Sequence, residues 1–223
     1  MSELNLVLVG PPGSGKGTQG ERLQEDLRLP YYATGDILRA AVREGTELGN
    51  EAKEYMDRGD LVPDEVMVGL IAERVASSEA ADGFILDGFP RTIGQAEALD
   101  TKLSELQRGL TAVLLIDVSD EEVVRRLSGR RICPNGHVFQ MEFDPPKAEG
   151  VCDVCGERLE IRDDDKPEVV RHRLGTYHGK TEPLVGYYEE RGILHRVDGK
   201  QAPDEVSGRI SGLLATLRKE EEL

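Results

Sequence analysis

At 223 residues, 38% hydrophobic and 32% charged, the chain is sized for one α/β domain with insertions and a real core. Its net charge of −15 and pI near 4.8 argue against an electrostatic grip on nucleic acid or on an anionic membrane surface. Three cysteines, two of them spaced as Cys152-Asp153-Val154-Cys155, point to metal ligation rather than a disulfide framework.

The first element in the chain is an apolar run, Leu4–Val9, read as a buried strand. It leads directly into GPPGSGKGT, residues 10–18, and a helical pattern follows from about Lys16 to Leu27. In a strand–loop–helix setting such glycines let successive amide N–H groups turn onto a phosphate. Lys16 adds a point charge at the positive end of the helix. A strict P-loop carries Ser or Thr after the lysine; here Gly17 stands there and Thr18 follows one position later.

A short second strand is expected at 31–32, after Pro30, and TGDILR follows at 34–39. The helix-rich stretch 34–62 then interrupts the strand–helix rhythm. Pro63-Asp64-Glu65 opens a helix whose apolar face includes Val66, Leu70 and Ile71. The third strand, Gly83–Asp87, runs into DGFPR at 87–91, and the fourth spans Ala112–Asp117. Ser119-Asp120-Glu121-Glu122 reads as a capping box for a helix ending near Gly129. The stretch 130–165 shifts toward Cys, Pro, Gly and Asp, as an excursion without a large core of its own would. GRRIC (129–133) and RDDD (162–165) bracket all three cysteines. A last strand at 194–197 precedes the final helix and an acidic tail, Glu220-Glu221-Glu222. Strands alternating with helices predict a parallel sheet covered on both faces. No repeat, signal peptide, lipidation motif or bilayer-spanning run is visible, so a soluble cytoplasmic protein is expected.

Those five motifs occur in the order found in adenylate kinases, and from about residue 4 to 206 the chain resembles the zinc-lid form of that family. The resemblance implies a P-loop α/β fold with a doubly wound five-stranded parallel sheet. The core would comprise 1–33, 63–129 and 166–223. Into it are inserted a helical AMP-binding subdomain (34–62) and a metal-bearing lid (130–165). It further implies the reaction MgATP + AMP ⇌ 2 ADP in a monomer whose partners are ATP, AMP and ADP. Such lids are themselves a standing example of closure that excludes water.

By the same resemblance ATP is held by Gly13, Ser14, Gly15, Lys16, Gly17 and Thr18, with Arg126 stacked on its adenine and Arg130 and Gln201 nearby. Arg39 and Arg91 hold the AMP phosphate. Thr34, Gly88 and Gln95 surround the AMP base, and Leu61 and Val62 supply backbone groups. Arg130, Arg162 and Arg173 contact the transferring phosphates, Arg162 and Arg173 from the AMP side as well. Lys16, Arg91, Arg130, Arg162 and Arg173 form the catalytic set. Phosphoryl transfer asks for positioning and neutralisation of charge more than for covalent chemistry, which suits so many cations. Asp87 would organise Mg²⁺ through water. Asp164 and Asp165 could orient Arg162, close a lid hinge, or be simple solvated acids.

Cys152-x-x-Cys155 followed by Gly156 is a knuckle spacing, and Cys133 adds a third thiolate. Zinc-lid relatives usually carry another Cys three residues after the first, where this chain has Gly136. The adjacent His137 is the natural fourth zinc ligand, with Asp144, Asp153 or water as alternatives. His172, His178 and His195 fall in helical or strand patterns and read as structural. Two rival functions remain in view. A UMP/CMP or GMP kinase is opposed by Thr34, Gln95 and the long lid. A non-catalytic nucleotide sensor is opposed by the full set of cations.

The acidity reads as a solvated surface and, in its sharper form, as adaptation to a salty cytoplasm; of 28 basic residues, 20 are Arg and 8 Lys. The melting temperature should therefore rise between about 0.1 M and 1 M KCl, as the Debye length shrinks from about 10 Å to about 3 Å and quiets self-repulsion. A flat or falling curve removes the salt adaptation and leaves the rest of the reading intact.

Overall fold

β1 (Leu4–Val9) is buried at all six positions, which is why it reads as an unbroken apolar run rather than an alternating one. The computed structural model describes residues 3–221, with side chains through Lys219. Glu222 of the acidic tail and the side chains of Glu220 and Glu221 lie outside the described residues. The remaining strands are β2 (Tyr31–Ala33), β3 (Gly83–Asp87), β4 (Ala112–Asp117), β5 (Arg130–Ile132), β6 (Val138–Gln140) and β7 (Leu194–Asp198). Five of them form a sheet in the order β2-β3-β1-β4-β7, every pairing parallel. All five are the strands expected from sequence, with β2 and β7 each one residue longer.

The helices are α1 (Lys16–Leu27), α2 (Thr34–Glu44), α3 (Glu47–Arg58), α4 (Asp64–Val75), α5 (Ile93–Glu105), α6 (Asp120–Gly129), α7 (Pro167–Thr176), α8 (Pro183–Glu189) and α9 (Pro203–Glu221). Alternate strand residues feed opposite faces of the sheet. Val7, Phe84 and Leu86 pack with Ile71 of α4, Leu99 of α5 and Tyr188 of α8. Leu6, Leu8, Ile85 and Leu114 pack with Leu23 of α1 and with Val206, Ile210 and Leu214 of α9. The two layers hold the sheet rigid, so the loops at its carboxyl edge have a fixed base. Among the described residues no helix is long and apolar enough to cross a membrane.

α4 buries Met67, Ile71 and Val75, and the half-buried Val66 and Leu70 pack against the same core. One local expectation is corrected. Ser119 does stand at the N-cap of α6, but its hydroxyl makes no capping bond. Glu122 turns to Arg125 and Arg126 instead of reaching back, and those guanidiniums hold its carboxyl down at about 2. The start of α6 rests on three acids, Asp120, Glu121 and Glu122, facing the helix dipole. His172 and His178 are exposed and sit in ion pairs, His172 with Asp60 and His178 between Asp120 and Glu182, and neither joins the Cys133–His137–Cys152–Cys155 group. His195 is half-buried on β7.

The 130–165 stretch forms its own small unit, whose antiparallel β5–β6 pair the sequence pattern did not reveal. Its only core is Cys133, Phe139, Cys152 and Leu159, while Val138, Met141, Phe143, Val151, Val154 and Ile161 stay exposed.

Candidate active site

β1 and β3 run parallel with Leu8 opposite Asp87, so the loop after β1 and the carboxylate ending β3 emerge side by side. Ligand sites of open α/β sheets lie at this carboxyl edge. Gly10 opens the loop at φ +149°, and a Cβ there would come within 2.5 Å of the Ile116 carbonyl oxygen. Gly15, in the left-handed region, caps α1 with no side chain over its first N–H groups. An anion can therefore meet the helix N-terminus directly. Lys16 Nζ donates to the carbonyls of Gly10 at 2.7 Å and Pro11 at 2.8 Å. Burial brings its pKa down to about 8; Asp87 opposes that shift, while Arg91, Arg173 and Arg130 add to it.

Five arginines join Lys16, and their mutual electrostatics tie them into one group. Burial and then Arg173 lower the pKa of Arg91, with Arg39 also acting on it. Burial, with Arg130 and Arg39, lowers Arg162 to about 10. Burial likewise lowers Arg173, with Arg130 and Arg39 adding to the shift and Asp164 and Asp165 opposing it. Some of these guanidiniums are paired: Arg39 with Asp36, Arg130 with both oxygens of Asp165 at 2.6 and 2.7 Å, and Arg173 with Asp164 at 3.0 Å. Arg91 Nε donates to the Gly88 carbonyl, and the buried Arg162 Nε has no hydrogen-bond partner among the described residues. Six cations thus meet four carboxylates (Asp36, Asp87, Asp164, Asp165), an excess of two positive charges in a chain of net −15. Asp165, its side chain fully buried, orients Arg130 rather than Arg162, and it is no solvated acid.

Around the expected AMP base, Thr34 is buried and its hydroxyl donates to the Asp87 carbonyl at 3.1 Å. Gly88 holds φ +79°, and a Cβ there would meet the Thr34 hydroxyl at 2.6 Å and an Arg91 nitrogen at 2.7 Å. Gln95 is buried with its amide fixed at both ends: Oε1 accepts from Arg91 N–H and Nε2 donates to Asp64, each at 2.7 Å. Asp64 also accepts from Thr92. Sequence reasoning placed Asp64 only as a helix-opening residue; its link to Gln95 spans 31 positions and carries no local signature. Leu61 and Val62 lie in the turn between α3 and α4, half-buried and buried.

On the other side of the loop, Arg126 donates to the Ser14 carbonyl at 3.2 Å and the Gly199 carbonyl at 2.7 Å. Gln201, two residues past Gly199, is hydrogen-bonded to Asp198. Gly13, Gly17 and Thr18 complete the loop and the first turn of α1, with Gly17 and Thr18 exposed. Asp87 accepts from the Tyr31 phenol at 2.8 Å, a contact the sequence reading did not foresee.

The lid brings a second constellation together. The ligand atoms of Cys133, His137, Cys152 and Cys155 all lie within 4.8 Å of one another. His137 Nδ1 is 3.3 Å from Cys133 Sγ and 3.5 Å from Cys152 Sγ, and the Cys133 and Cys155 sulfurs are 3.6 Å apart. A tetrahedral ion about 2.3 Å from sulfur and about 2.0 Å from nitrogen needs edges of roughly 3.5–3.8 Å, so the donor set is compatible with zinc. Gly136, at φ +93°, closes the turn that carries His137 back over Cys133. Asp153 accepts from the Lys147 amide, and Asp144 is tied to Gln140 through its backbone; neither joins the cluster.

Comparison with known proteins agrees with this geometry. The family model described as adenylate kinase matches residues 8–193. An adenylate kinase of Methanococcoides burtonii is 54% identical over 207 residues, 93% of this chain and 96% of the relative. One from Archaeoglobus fulgidus is 50% identical over 96% of this chain and all of its own length. One from Streptomyces griseus is 50% identical over 92% and 95%.

The depressed pKa of Lys16 makes binding of a nucleoside triphosphate proton-linked. Near pH 8 the free amine is about half protonated, and phosphates placed against it restore the charge. Calorimetry in buffers of different ionisation enthalpy should therefore show uptake of about half a proton at pH 8, absent in Lys16→Ala. The same substitution should lower turnover by about 10²–10³ in a folded protein, as for the loss of one electrostatic stabiliser.

Proposed function

The chain belongs to the adenylate kinase family and transfers a phosphoryl group reversibly between MgATP and AMP to give two ADP; we propose that the six-cation cleft is where it does so. The observation that carries this reading is the excess positive charge of the cleft, drawn from three parts of the chain. Lys16, Arg91 and Arg173 come from the core, Arg39 from 34–62, and Arg130 and Arg162 from 130–165. Only a strongly anionic ligand gives such a collection a purpose, and two nucleotides meeting at their phosphates supply it.

In this reading the division into core (1–33, 63–129, 166–223), AMP-binding subdomain (34–62) and lid (130–165) is functional. The loop 10–18 and Lys16 hold the β- and γ-phosphates of ATP. Arg126 and Gln201 flank its adenosine end. Arg39 and Arg91 anchor the AMP phosphate. Arg130, Arg162 and Arg173 surround the group in flight, where charge is spread over its oxygens. Arg162 is the most telling of them, since its buried Nε lacks a protein partner that a phosphate oxygen would supply.

Base choice follows from Gln95. An amide has two N–H donors and two acceptor positions on its oxygen. With one of each committed to Asp64 and to Arg91 N–H, it offers one donor and one acceptor in a fixed order. That pair fits the ring nitrogen and amino group of adenine, and a guanine edge presents the reverse. A pocket built to pair a polar edge rejects a mismatched one strongly. Mg²⁺ bound with ATP would neutralise phosphate charge, and Asp87 would organise its hydration shell rather than chelate it, since Mg²⁺ gives up its waters reluctantly. The protein would act as a monomer in the cytoplasm.

The test is turnover against AMP, GMP, CMP and UMP with ATP as donor. AMP should lead by a wide margin, and Thr34→Ala with Gln95→Ala should narrow it. Equal kcat/KM for CMP or UMP in the unaltered protein would move the assignment to a pyrimidine monophosphate kinase.

For the lid, the proposal is one structural Zn²⁺ on Cys133, His137, Cys152 and Cys155, a closed set with no open position. Metal analysis of protein purified without chelator should give one zinc per chain, and Cys152→Ser should lose it together with thermal stability, while activity at low temperature is largely kept. A stoichiometry near zero ends the zinc reading.

A further inference from the structure

Asp87 has a partner that the phosphate-binding parts do not account for. Tyr31 is 56 residues away in sequence, but the parallel register of β2 and β3 sets Ala33 opposite Asp87 and Tyr31 two residues below it. From there the phenol reaches up the sheet edge and donates to Asp87 Oδ2 at 2.8 Å. Among the described residues no hydrogen bond engages Oδ1. The ring lies on α1, and a Cβ at Gly20 would overlap it; a Cβ at Gly17 would come within 3.9 Å of the hydroxyl. The ring's position therefore depends on glycine at Gly20, while a Cβ at Gly17 would only be in ordinary contact with the hydroxyl.

A strict P-loop takes a hydroxyl for its metal from the residue after the lysine. Gly17 has none, and the Tyr31 hydroxyl lies within 3.9 Å of where a Cβ at that position would stand. We infer that Tyr31 is a positioning and selectivity residue: it pins one oxygen of Asp87, leaves the other to the hydrated metal of MgATP, and so favours Mg²⁺ over Ca²⁺. The chemistry of the two ions gives the reason. Mg²⁺ keeps several waters and is content with a single carboxylate oxygen, whereas Ca²⁺ readily takes a carboxylate through both. Bidentate capture here would require breaking a partly buried hydrogen bond to a charged group, among the stronger kinds. The inference rests on Asp87 serving the metal, as proposed above.

The experiment measures dissociation constants for MgATP, CaATP and metal-free ATP by calorimetry. It compares the unaltered protein with Tyr31→Phe, Asp87→Asn and the double variant, and records melting temperatures alongside. Phe keeps the ring against Gly20 and removes only the hydroxyl. Tyr31→Phe should weaken MgATP by about tenfold, the scale of one hydrogen bond to a charged group. It should leave metal-free ATP unchanged and narrow the preference for Mg²⁺ over Ca²⁺. Added to Asp87→Asn it should change nothing further, because both act through one carboxylate. Equal weakening of all three ligands would make Tyr31 merely structural and overturn the inference. An unaltered Mg²⁺ preference in Tyr31→Phe, with that of Asp87→Asn reduced, would overturn it too while sparing the role of Asp87. Should Asp87→Asn itself keep the preference, the Asp87 reading fails and this inference falls with it.

Discussion

Repulsion among the buried cations of one cleft is the constraint on which the rest of the structure depends. Four carboxylates face six positive groups, and burial with mutual repulsion lowers the pKa of Lys16, Arg91, Arg162 and Arg173 alike. Such a cluster is disfavoured wherever it is dry. It persists because Lys16, Arg39, Arg91, Arg130 and Arg173 are each anchored to backbone or carboxylate, which leaves Arg162 as the exception. The placement of the charges on three pieces of chain has a mechanical consequence. On the proposed function, like charges would favour separation of 34–62 and 130–165 from the core, and the phosphates of ATP and AMP between them would favour closure through their differential contacts. Net negative charge elsewhere keeps the excess confined to the cleft.

The sheet supplies the precision. Because β1 and β3 are parallel and in register, the phosphate loop and Asp87 are fixed by backbone hydrogen bonds rather than by side-chain packing alone. β2 adds Tyr31, and Thr34 follows it as the first residue of α2; both reach Asp87, one through its carboxylate and one through its carbonyl. A displacement of β2 would thus disturb both bonds to Asp87 together.

Local patterns were legible in the sequence, and non-local pairings were not. β1, β3 and β4 could be read because a strand buried on both faces is an apolar run bounded by turn residues, whereas the edge strands β2 and β7, only partly buried, were legible chiefly from their place in the strand–helix rhythm. The loop 10–18 could be read because its glycines and lysine act within nine residues. Gln95 was expected as a base reader, but its orientation comes from Asp64, 31 positions earlier, and nothing local marks that acid beyond its place at a helix start. Tyr31 passed as a strand residue, since its bond to Asp87 crosses from one strand to another 56 positions away. The capping box at Ser119 misled because Glu122 pairs with two arginines instead. The β5–β6 pair escaped notice because three-residue strands leave too short a pattern for any period.

The lid shows how little apolar surface a functional unit can stand on when other bonds take over. Its buried cluster is four residues, two of them cysteines, and several of its large apolar side chains are exposed. By area alone such a unit would not order itself. Two devices replace a core. The first is the thiolate–imidazole set, which ties the turn at Cys133–His137 to the turn at Cys152–Cys155 and so crosslinks both ends of the excursion. The second is the Arg130–Asp165 pair, which joins the chain entering the lid to the chain leaving it through two short bonds around a buried carboxylate. The second device also reaches the core, because Arg173 of α7 lies 3.5 Å from Asp165 and 3.0 Å from Asp164, so the carboxylate that orients Arg130 is shared with a core arginine.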